Sequence, residues 1–262
     1  VTDLKDMLEK TGKLYGDRPG YKIKLGEGKY KTYTHKEIRD MINSLGTALI
    51  SLGLKGKRIA VIGENRYEWE LAYLSIVCGT GIVVPLDRSL PDNELEELIE
   101  RSEVEAIFYS KKYEERIKTI RFSEKNKLKH LISMDTDIHD EGIYSEKELI
   151  EKGRKLIEEG NREFLDSKIN PEEMNIMLFT SGTTSKSKVV ALSHKNLVSN
   201  VMDFASVLTV DSSDRILSFL PLHHVFECTV GMLYSLYIGA ERSFCEGIRH
   251  IVENLNEYKI TF

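Results

Sequence analysis

The order of apolar and polar segments is the feature that most constrains the fold of this chain. From residue 58 onward, short apolar stretches alternate with longer segments of helical periodicity. RIAVIG (58–63) predicts a buried strand, the segment up to residue 81 predicts a helix followed by glycine, and IVVPLD (82–87) predicts the next strand. Parallel strands need crossover connections of this kind. We therefore expect an α/β fold of stacked βαβ layers with mostly parallel sheets.

The same alternation continues toward the end of the chain. PDNELEELIERS predicts a helix that is capped by Asp92 and buries Leu95, Leu98 and Ile99. Segment 216–246 repeats the strand, helix, glycine, strand pattern of 59–87, which indicates either two βαβ units in different sheets or a pattern common to α/β chains. Further strands are predicted by AIFYS, HLISMD, MNIMLF and VVAL, and a surface helix with a connector by the charged segment 145–175.

Composition limits the classes of function. The 262 residues are 41% hydrophobic, which is enough for one large domain or two ordinary ones. The formal net charge of −5 gives no electrostatic reason to expect a nucleic-acid partner or an anionic membrane, and no apolar run approaches the length of a transmembrane segment. The three cysteines are far apart and have no metal-ligand spacing, so we expect buried free thiols, a cytoplasmic location and no metal-binding residue in this chain.

A loop rich in hydroxyl groups lies between two of the predicted strands. The nine residues from Thr180 to Lys188 contain six hydroxyl side chains, two lysines and one glycine. Because MNIMLF precedes the loop and VVAL follows it, the loop is predicted to be a strand-to-strand turn. Gly182 permits unusual backbone conformations, and N–H groups, hydroxyls and lysines together suit a polyphosphate. The same composition also occurs in simple solvent-exposed turns.

The nucleotide-binding P-loop offers one comparison for this turn. Counted from Gly182, Lys188 occupies the lysine position of G-x-x-x-x-G-K-[ST]. Ser187 replaces the second glycine, Val189 replaces the residue that would hold magnesium, and a strand follows instead of a helix. A Walker-type NTPase or kinase is therefore the weaker interpretation.

The stretch FTSGTTSKSKVVALSH resembles the phosphate-binding signature of the adenylate-forming superfamily, [YF]-T-S-G-[ST]-T-G-x-P-K-G followed by an apolar strand and Ser-His. Its departures are Ser185, Ser187 and Val189, where the signature has Gly, Pro and Gly. Downstream, FLPLHHVFE (219–227) resembles the aromatic and histidine segment of the same superfamily. The resemblance extends from about Thr32 to the end of the chain. Within the superfamily, the sequence is most similar to long-chain fatty acyl-CoA synthetases. The matching signature residues are Phe179, Thr180, Ser181, Gly182, Thr183, Thr184, Lys188, Ser193 and His194.

The resemblance implies a reaction and roles for individual residues. ATP and a fatty acid would form an acyl adenylate, coenzyme A would accept the acyl group, and ATP would carry most of the Mg²⁺. His224 would lie beside the acyl carboxylate and α-phosphate, and Phe226 would line the acyl entrance; the alternative is that His223 and His224 are both packing residues at a helix start. His194 is expected to have a capping and packing role. The residues expected to bind the phosphates are Thr180, Ser181, Gly182, Thr183, Thr184, Lys186 and Lys188, with Lys188 and His224 as the catalytic pair.

The resemblance also implies a domain organisation. Residues 57–206 would form the first sheet subdomain with the phosphate loop, and residues 1–56 with 211–262 a second, incomplete one. The chain contains no Thr-Glu pair and no Thr-Gly-Asp, which the family uses for magnesium and ribose. We therefore expect a partial N-terminal AMP-binding domain without the C-terminal domain. This partial domain would be inactive alone and would self-associate through exposed apolar faces. The alternative is a non-catalytic acyl- or nucleotide-binding module, which the three loop departures favour.

Overall fold

Helices and strands alternate along most of the chain in a computed structural model that describes residues 1–121, 127–135, 143–180 and 187–262. The helices are α1 (Leu4–Leu14), α2 (His35–Ser51), α3 (Tyr67–Ser75), α4 (Asp92–Ser102), α5 (Glu114–Arg121), α6 (Glu146–Glu158), α7 (His194–Val207), α8 (Ser235–Ile238) and α9 (Ile251–Glu257). The strands are β1 (Pro19–Gly26), β2 (Lys29–Thr34), β3 (Arg58–Ile62), β4 (Ile82–Pro85), β5 (Ala106–Tyr109), β6 (His130–Ser133), β7 (Ile143–Ser145), β8 (Met174–Thr180), β9 (Lys188–Ser193), β10 (Arg215–Ser218) and β11 (Glu241–Phe244). Short π-helical segments follow α3 (Ile76–Thr80) and precede α8 (Glu227–Tyr234), and 3₁₀ turns lie at Lys111–Tyr113 and Ile248–His250.

One compact unit comprises Met41–Glu64 and Leu71–His194. Its described strands form a sheet in the order β7-β6-β5-β3-β4-β8-β9. Neighbouring strands are parallel except for the antiparallel pair β8 and β9. The apolar runs of β3, β4 and β5 are buried, as expected for parallel strands that are covered on both faces. The predicted α/β layer of mostly parallel strands is confirmed.

The glycine before β4 is required by a close approach of two backbones. The N–H of Ile82 donates to the carbonyl of Lys57 at 2.9 Å. A Cβ atom on Gly81 would lie 2.1 Å from the same carbonyl oxygen. A larger residue at Gly81 would therefore prevent β3 and β4 from starting side by side.

The other compact unit comprises Val1–Asp40, Asn65–Glu70 and Lys195–Phe262. Its described strands have the order β10-β11-β1-β2, in which β10, β11 and β1 are parallel and β1 and β2 form an antiparallel hairpin. Segment 216–246 thus forms a βαβ unit in a different sheet from β3, α3 and β4. The glycine of the repeated pattern, Gly239, ends α8 in a left-handed conformation with φ of 73°.

The compact units are bounded at different residues from those expected. Residues 41–56 belong with the larger sheet, because the part of α2 from residue 41 onward packs there. A Cβ on Gly46 would lie 2.1 Å from the ring of Phe164. Segment 65–70 belongs with the smaller sheet, where the Asn65 side chain bonds to Ser218. The larger unit ends at His194, so the rest of α7 belongs with the smaller sheet.

Three local predictions were tested by these elements. Leu95 and its two partners on α4 are buried, as predicted. Asp92 is not the cap of that helix: Pro91 occupies the cap position, and the Asp92 carboxylate lies 2.5 Å from Arg116 Nε. Among the cysteines, Cys245 is half-buried instead of buried, since it follows the end of β11. No helix in the described ranges is long and apolar enough to cross a membrane.

Candidate functional site

The two strands that flank the predicted strand-to-strand turn are neighbours in the structure. Strands β8 and β9 pair antiparallel, with Phe179 opposite Val189 and Thr180 opposite Lys188. Thr180 and Lys188 are exposed, so a hydroxyl group and an ammonium group face each other across the ladder where the loop begins and ends. The predicted phosphate ligands Ser181, Gly182, Thr183, Thr184 and Lys186 lie outside the described residues.

Arg101 on α4 contacts β8 and the residue just before β9. Its Nη2 donates to the carbonyl of Ser187 at 2.9 Å, and its guanidinium carbon lies 5.8 Å from the centre of the Phe179 ring. Cation–aromatic contacts at such distances are weakly stabilising. Sequence reasoning missed Arg101 because a charged residue on a surface helix gives no local signal of a distant partner.

His224 lies at the start of a helix and caps it. Its N–H donates to the carbonyl of Pro221 at 2.9 Å, and its Nδ1 accepts from the N–H of Phe226 at 3.3 Å. A backbone N–H can only donate, so Nδ1 carries no proton and the neutral ring carries its proton on Nε2. The ring is exposed, whereas that of His223 is half-buried. The exposed Nε2–H of His224 can thus donate to a ligand.

Apolar side chains surround His224 in sequence and are exposed. Phe226 is 53% exposed and Phe219 is 47% exposed, and Leu220 and Val225 are also exposed. An exposed cluster of large apolar side chains is typical of a surface that binds an apolar ligand or a partner. The arrangement therefore places a hydrogen-bond donor within an apolar segment.

Glu227 follows this segment directly and is buried. Its Oε1 accepts from the Ser218 hydroxyl at 2.7 Å and lies 3.3 Å from Arg242 Nη2, which also donates to Glu70 at 2.5 Å. Burial raises the pKa of the Glu227 and Glu70 carboxyls, and the Arg242 charge opposes that rise. Sequence reasoning gave Glu227 no role. The sequence signal that could have indicated a role was the presence of Glu227 and Arg242 within apolar segments that otherwise predict a core.

The packing role expected for His194 is confirmed, and its capping role stays a prediction. The side chain is fully buried, and its Nε2 lies 3.1 Å from the carbonyl of Val77, so Nε2 carries the proton. The candidate ligand-binding residues occur in two groups. Thr180 and Lys188 belong to the unit with the larger sheet, and His224 and Phe226 belong to the unit with the smaller sheet.

Comparison with known proteins agrees with this fold. A long-chain-fatty-acid–CoA ligase 1 of Cavia porcellus is 26% identical over 100% of this chain and 39% of its own length, and fatty acyl-CoA synthetase A of Dictyostelium discoideum is 30% identical over 89% of this chain and 35% of its own. The chain thus spans between a third and two fifths of these relatives.

Solved structures of CoA ligases share the fold at low sequence identity. A long-chain-fatty-acid–CoA ligase from Archaeoglobus fulgidus has a TM-score of 0.82 at 21% identity and covers 99% of this chain, which spans 50% of that structure. An anthranilate CoA ligase in complex with anthranoyl-AMP has a TM-score of 0.84 at 20% identity, covering 99% of this chain and 48% of its own. The family model described as AMP-binding enzyme matches residues 8–262. With its fold and its signature hairpin, the chain belongs to the AMP-binding enzyme family.

Proposed function

We propose that this chain supplies the phosphate-binding and acyl-binding residues of an enzyme that activates a long-chain fatty acid. ATP and the carboxylate form an acyl adenylate and pyrophosphate, and the acyl group then passes to the thiol of coenzyme A. The named relatives support the acyl class. The odd number and wide spacing of the three cysteines in the sequence favour a reducing, cytoplasmic setting.

The observation that carries this proposal is the closure of the loop by Thr180 and Lys188. Their cross-strand pairing places a hydroxyl donor and a positive charge together at the base of a turn that contains further hydroxyl groups. Such a turn can hold the β- and γ-phosphates and stabilise the charge that develops on them during attack at the α-phosphorus. A Walker-type NTPase is disfavoured because β9 follows the loop where that motif has a helix.

His224 and Phe226 serve the acyl end of the substrate in this proposal. The Nε2–H of His224 donates to the carboxylate or the α-phosphate, and the exposed Phe226 contacts the alkyl chain. Both groups need a fixed position, because a carboxylate must approach phosphorus along a narrow range of directions.

Magnesium does not fit the described residues as a protein-held ion. Within residues 1–121, 127–135, 143–180 and 187–262, no group of three or more His, Cys, Asp or Glu side chains could hold a metal. Thr180 and Lys188 are donors to phosphate oxygen, and an ammonium group repels a cation. In this proposal Mg²⁺ arrives bound to ATP.

The decisive experiment is fatty-acid-dependent ATP–pyrophosphate exchange by the full protein that contains this chain. Palmitate should drive the exchange, and Lys188→Ala should slow it by about tenfold to a thousandfold, on the scale of losing one charge-stabilising donor. Lys29→Ala is the matched control: Lys29 is also an exposed lysine that begins the second strand of an antiparallel hairpin. Equal rates for the two variants would contradict the role of Lys188.

The same assay separates the proposal from its non-catalytic alternative. Ser185, Ser187 and Val189, which depart from the family signature, favour an acyl- or nucleotide-binding module. Binding of ATP by calorimetry without any exchange would support that module and refute the enzyme. His224→Ala should impair exchange more than ATP binding, whereas His223→Ala should mainly lower stability; equal kinetic effects would remove the distinction between the two histidines.

A further inference from the structure

Segment 219–226, which is mostly exposed, is closed by a bond between the residues on either side of it. Ser218 is the last residue of β10, and Glu227 is the first residue of the π-helical segment. The hydroxyl of Ser218 donates to the Glu227 carboxylate at 2.7 Å, and both side chains are buried. The segment that carries His224 is therefore a loop with its two ends tied together.

Asn65 holds the first half of the same loop. Its Nδ2 donates to the Ser218 hydroxyl at 2.9 Å and to the Leu220 carbonyl at 2.5 Å, and its Oδ1 accepts from the N–H of Leu222 at 3.3 Å. These bonds use both ends of the amide group. Asn65 comes from the turn after β3, more than 150 residues earlier in the chain. A distant side chain thus fixes the backbone that leads into the turn of His224.

Stability alone does not account for the burial of charge behind this loop. Glu227 shares Arg242 with Glu70, so the buried group contains two carboxylates and one guanidinium. Removing such charges from water costs several kcal/mol per ion, and well-packed apolar residues of similar volume are often as stable or more stable. Polar connections of this kind can instead specify one arrangement. The arrangement specified here is that of the loop between Ser218 and Glu227.

We propose that Asn65, Ser218 and Glu227 are positioning residues that hold His224 and Phe226 for the reaction of the acyl carboxylate. The bonds fix Leu220 and Leu222, and the next turn is set by the N–H of His224, which donates to Pro221. None of the three positioning residues touches the substrate. The inference rests on the proposed function, because that function gives His224 a reacting partner.

The test compares side-chain deletions in the full protein. Ser218→Ala removes the bond to Glu227 while Arg242 stays beside the carboxylate, and Asn65→Ala removes the other support. Each should lower kcat for palmitate-dependent exchange by about tenfold to a hundredfold, since a displacement of about 1 Å can cost a factor of 100, and should leave the KM for ATP within about twofold. The control is Ser75→Ala, because the Ser75 hydroxyl is equally buried and donates to the Ala72 carbonyl within its own helix.

Hydrogen exchange gives a readout that does not depend on activity. Amides of residues 219–227 should exchange faster in Ser218→Ala and Asn65→Ala than in the wild type, with no such change in Ser75→Ala. Amide hydrogen exchange at the wild-type rate, or a kcat equal to that of Ser75→Ala, would overturn the positioning role. If the wild type activates no fatty acid, the proposed function fails. Faster amide hydrogen exchange in the two variants, confined to residues 219–227, would then still support the loop-positioning role. Without that faster hydrogen exchange, the loop-positioning role would fail as well.

Discussion

Arg242→Met tests how strongly the buried charges depend on one another. Arg242, Glu70 and Glu227 have side chains that are at most 5% exposed, and Arg242 Nη2 lies 2.5 Å and 3.3 Å from the two carboxylates. Methionine keeps most of the apolar volume but leaves two carboxylates without their cation. Breaking a buried ion pair from one side costs about 3–5 kcal/mol, so we expect the free energy of unfolding to fall by that amount at pH 8.

The cost of Arg242→Met should depend on pH with a definite sign. Burial already raises the pKa of both carboxyls above the ordinary value of 4.5, and loss of the guanidinium raises it further. A carboxyl with a raised pKa in the folded state contributes stability that is present below pH 4.5 and lost as pH rises through the folded pKa. The difference in the free energy of unfolding between Arg242→Met and the wild type should therefore be small near pH 5 and grow toward pH 8.

Urea denaturation of the full protein at pH 5 and pH 8, followed by circular dichroism, measures this difference. The control is the variant with Glu70→Gln, Glu227→Gln and Arg242→Met together, which removes the charges in one step and should recover most of the lost stability. A cost below about 1 kcal/mol at pH 8, or a cost that does not change with pH, would refute the reasoning.

The remaining predictions concern packing, titration and the loop. Gly46→Ala should lower the free energy of unfolding, measured by urea denaturation, by about 1–3 kcal/mol, because the new Cβ would lie 2.1 Å from the Phe164 ring. Gly12→Ala is the control, because its new Cβ would meet the flexible side chain of Arg39, and it should leave the free energy of unfolding unchanged or raise it by up to about 1 kcal/mol. Burial lowers the pKa of His35 to about 4, so stability should fall as pH drops from 6.5 toward 4, and His35→Asn should lack that component; parallel pH profiles would contradict this. Arg101→Ala should raise the KM for ATP by about three- to tenfold, and an unchanged KM would show that the loop needs no such support.

The parts of the fold that follow from local periodicity could be predicted. Strands β3, β4 and β5 and helix α4 lie where the apolar spacing placed them, because burial on a repeating face leaves a repeating pattern in the sequence. The hairpin at Thr180 and Lys188 also followed from two apolar runs with a polar turn between them. Its antiparallel pairing needed no information from elsewhere in the chain.

Features that depend on distant partners could not be predicted in this way. Phe164 lies in the charged segment read as a surface helix and connector, yet it is fully buried, because Gly46 and Gly79 leave room for its ring. Asn65 and Arg101 are polar residues in a turn and on an exposed helix, where many side chains have no specific partner. Their roles depend on which backbone groups approach them in the folded chain.

The smaller sheet has a consequence for how the chain folds during synthesis. Strand β1 takes its parallel partner β11 from the far end of the sequence, and the Thr11 hydroxyl bonds to the Leu236 carbonyl, 225 residues later. At about 5–20 residues per second, the ribosome needs roughly 10–45 s to deliver that partner. Until then the second edge of β1 and the apolar face of α1, including Leu4 and Leu8, are open to other chains. Nascent chains should therefore engage chaperones that hold apolar segments until β11 has been made.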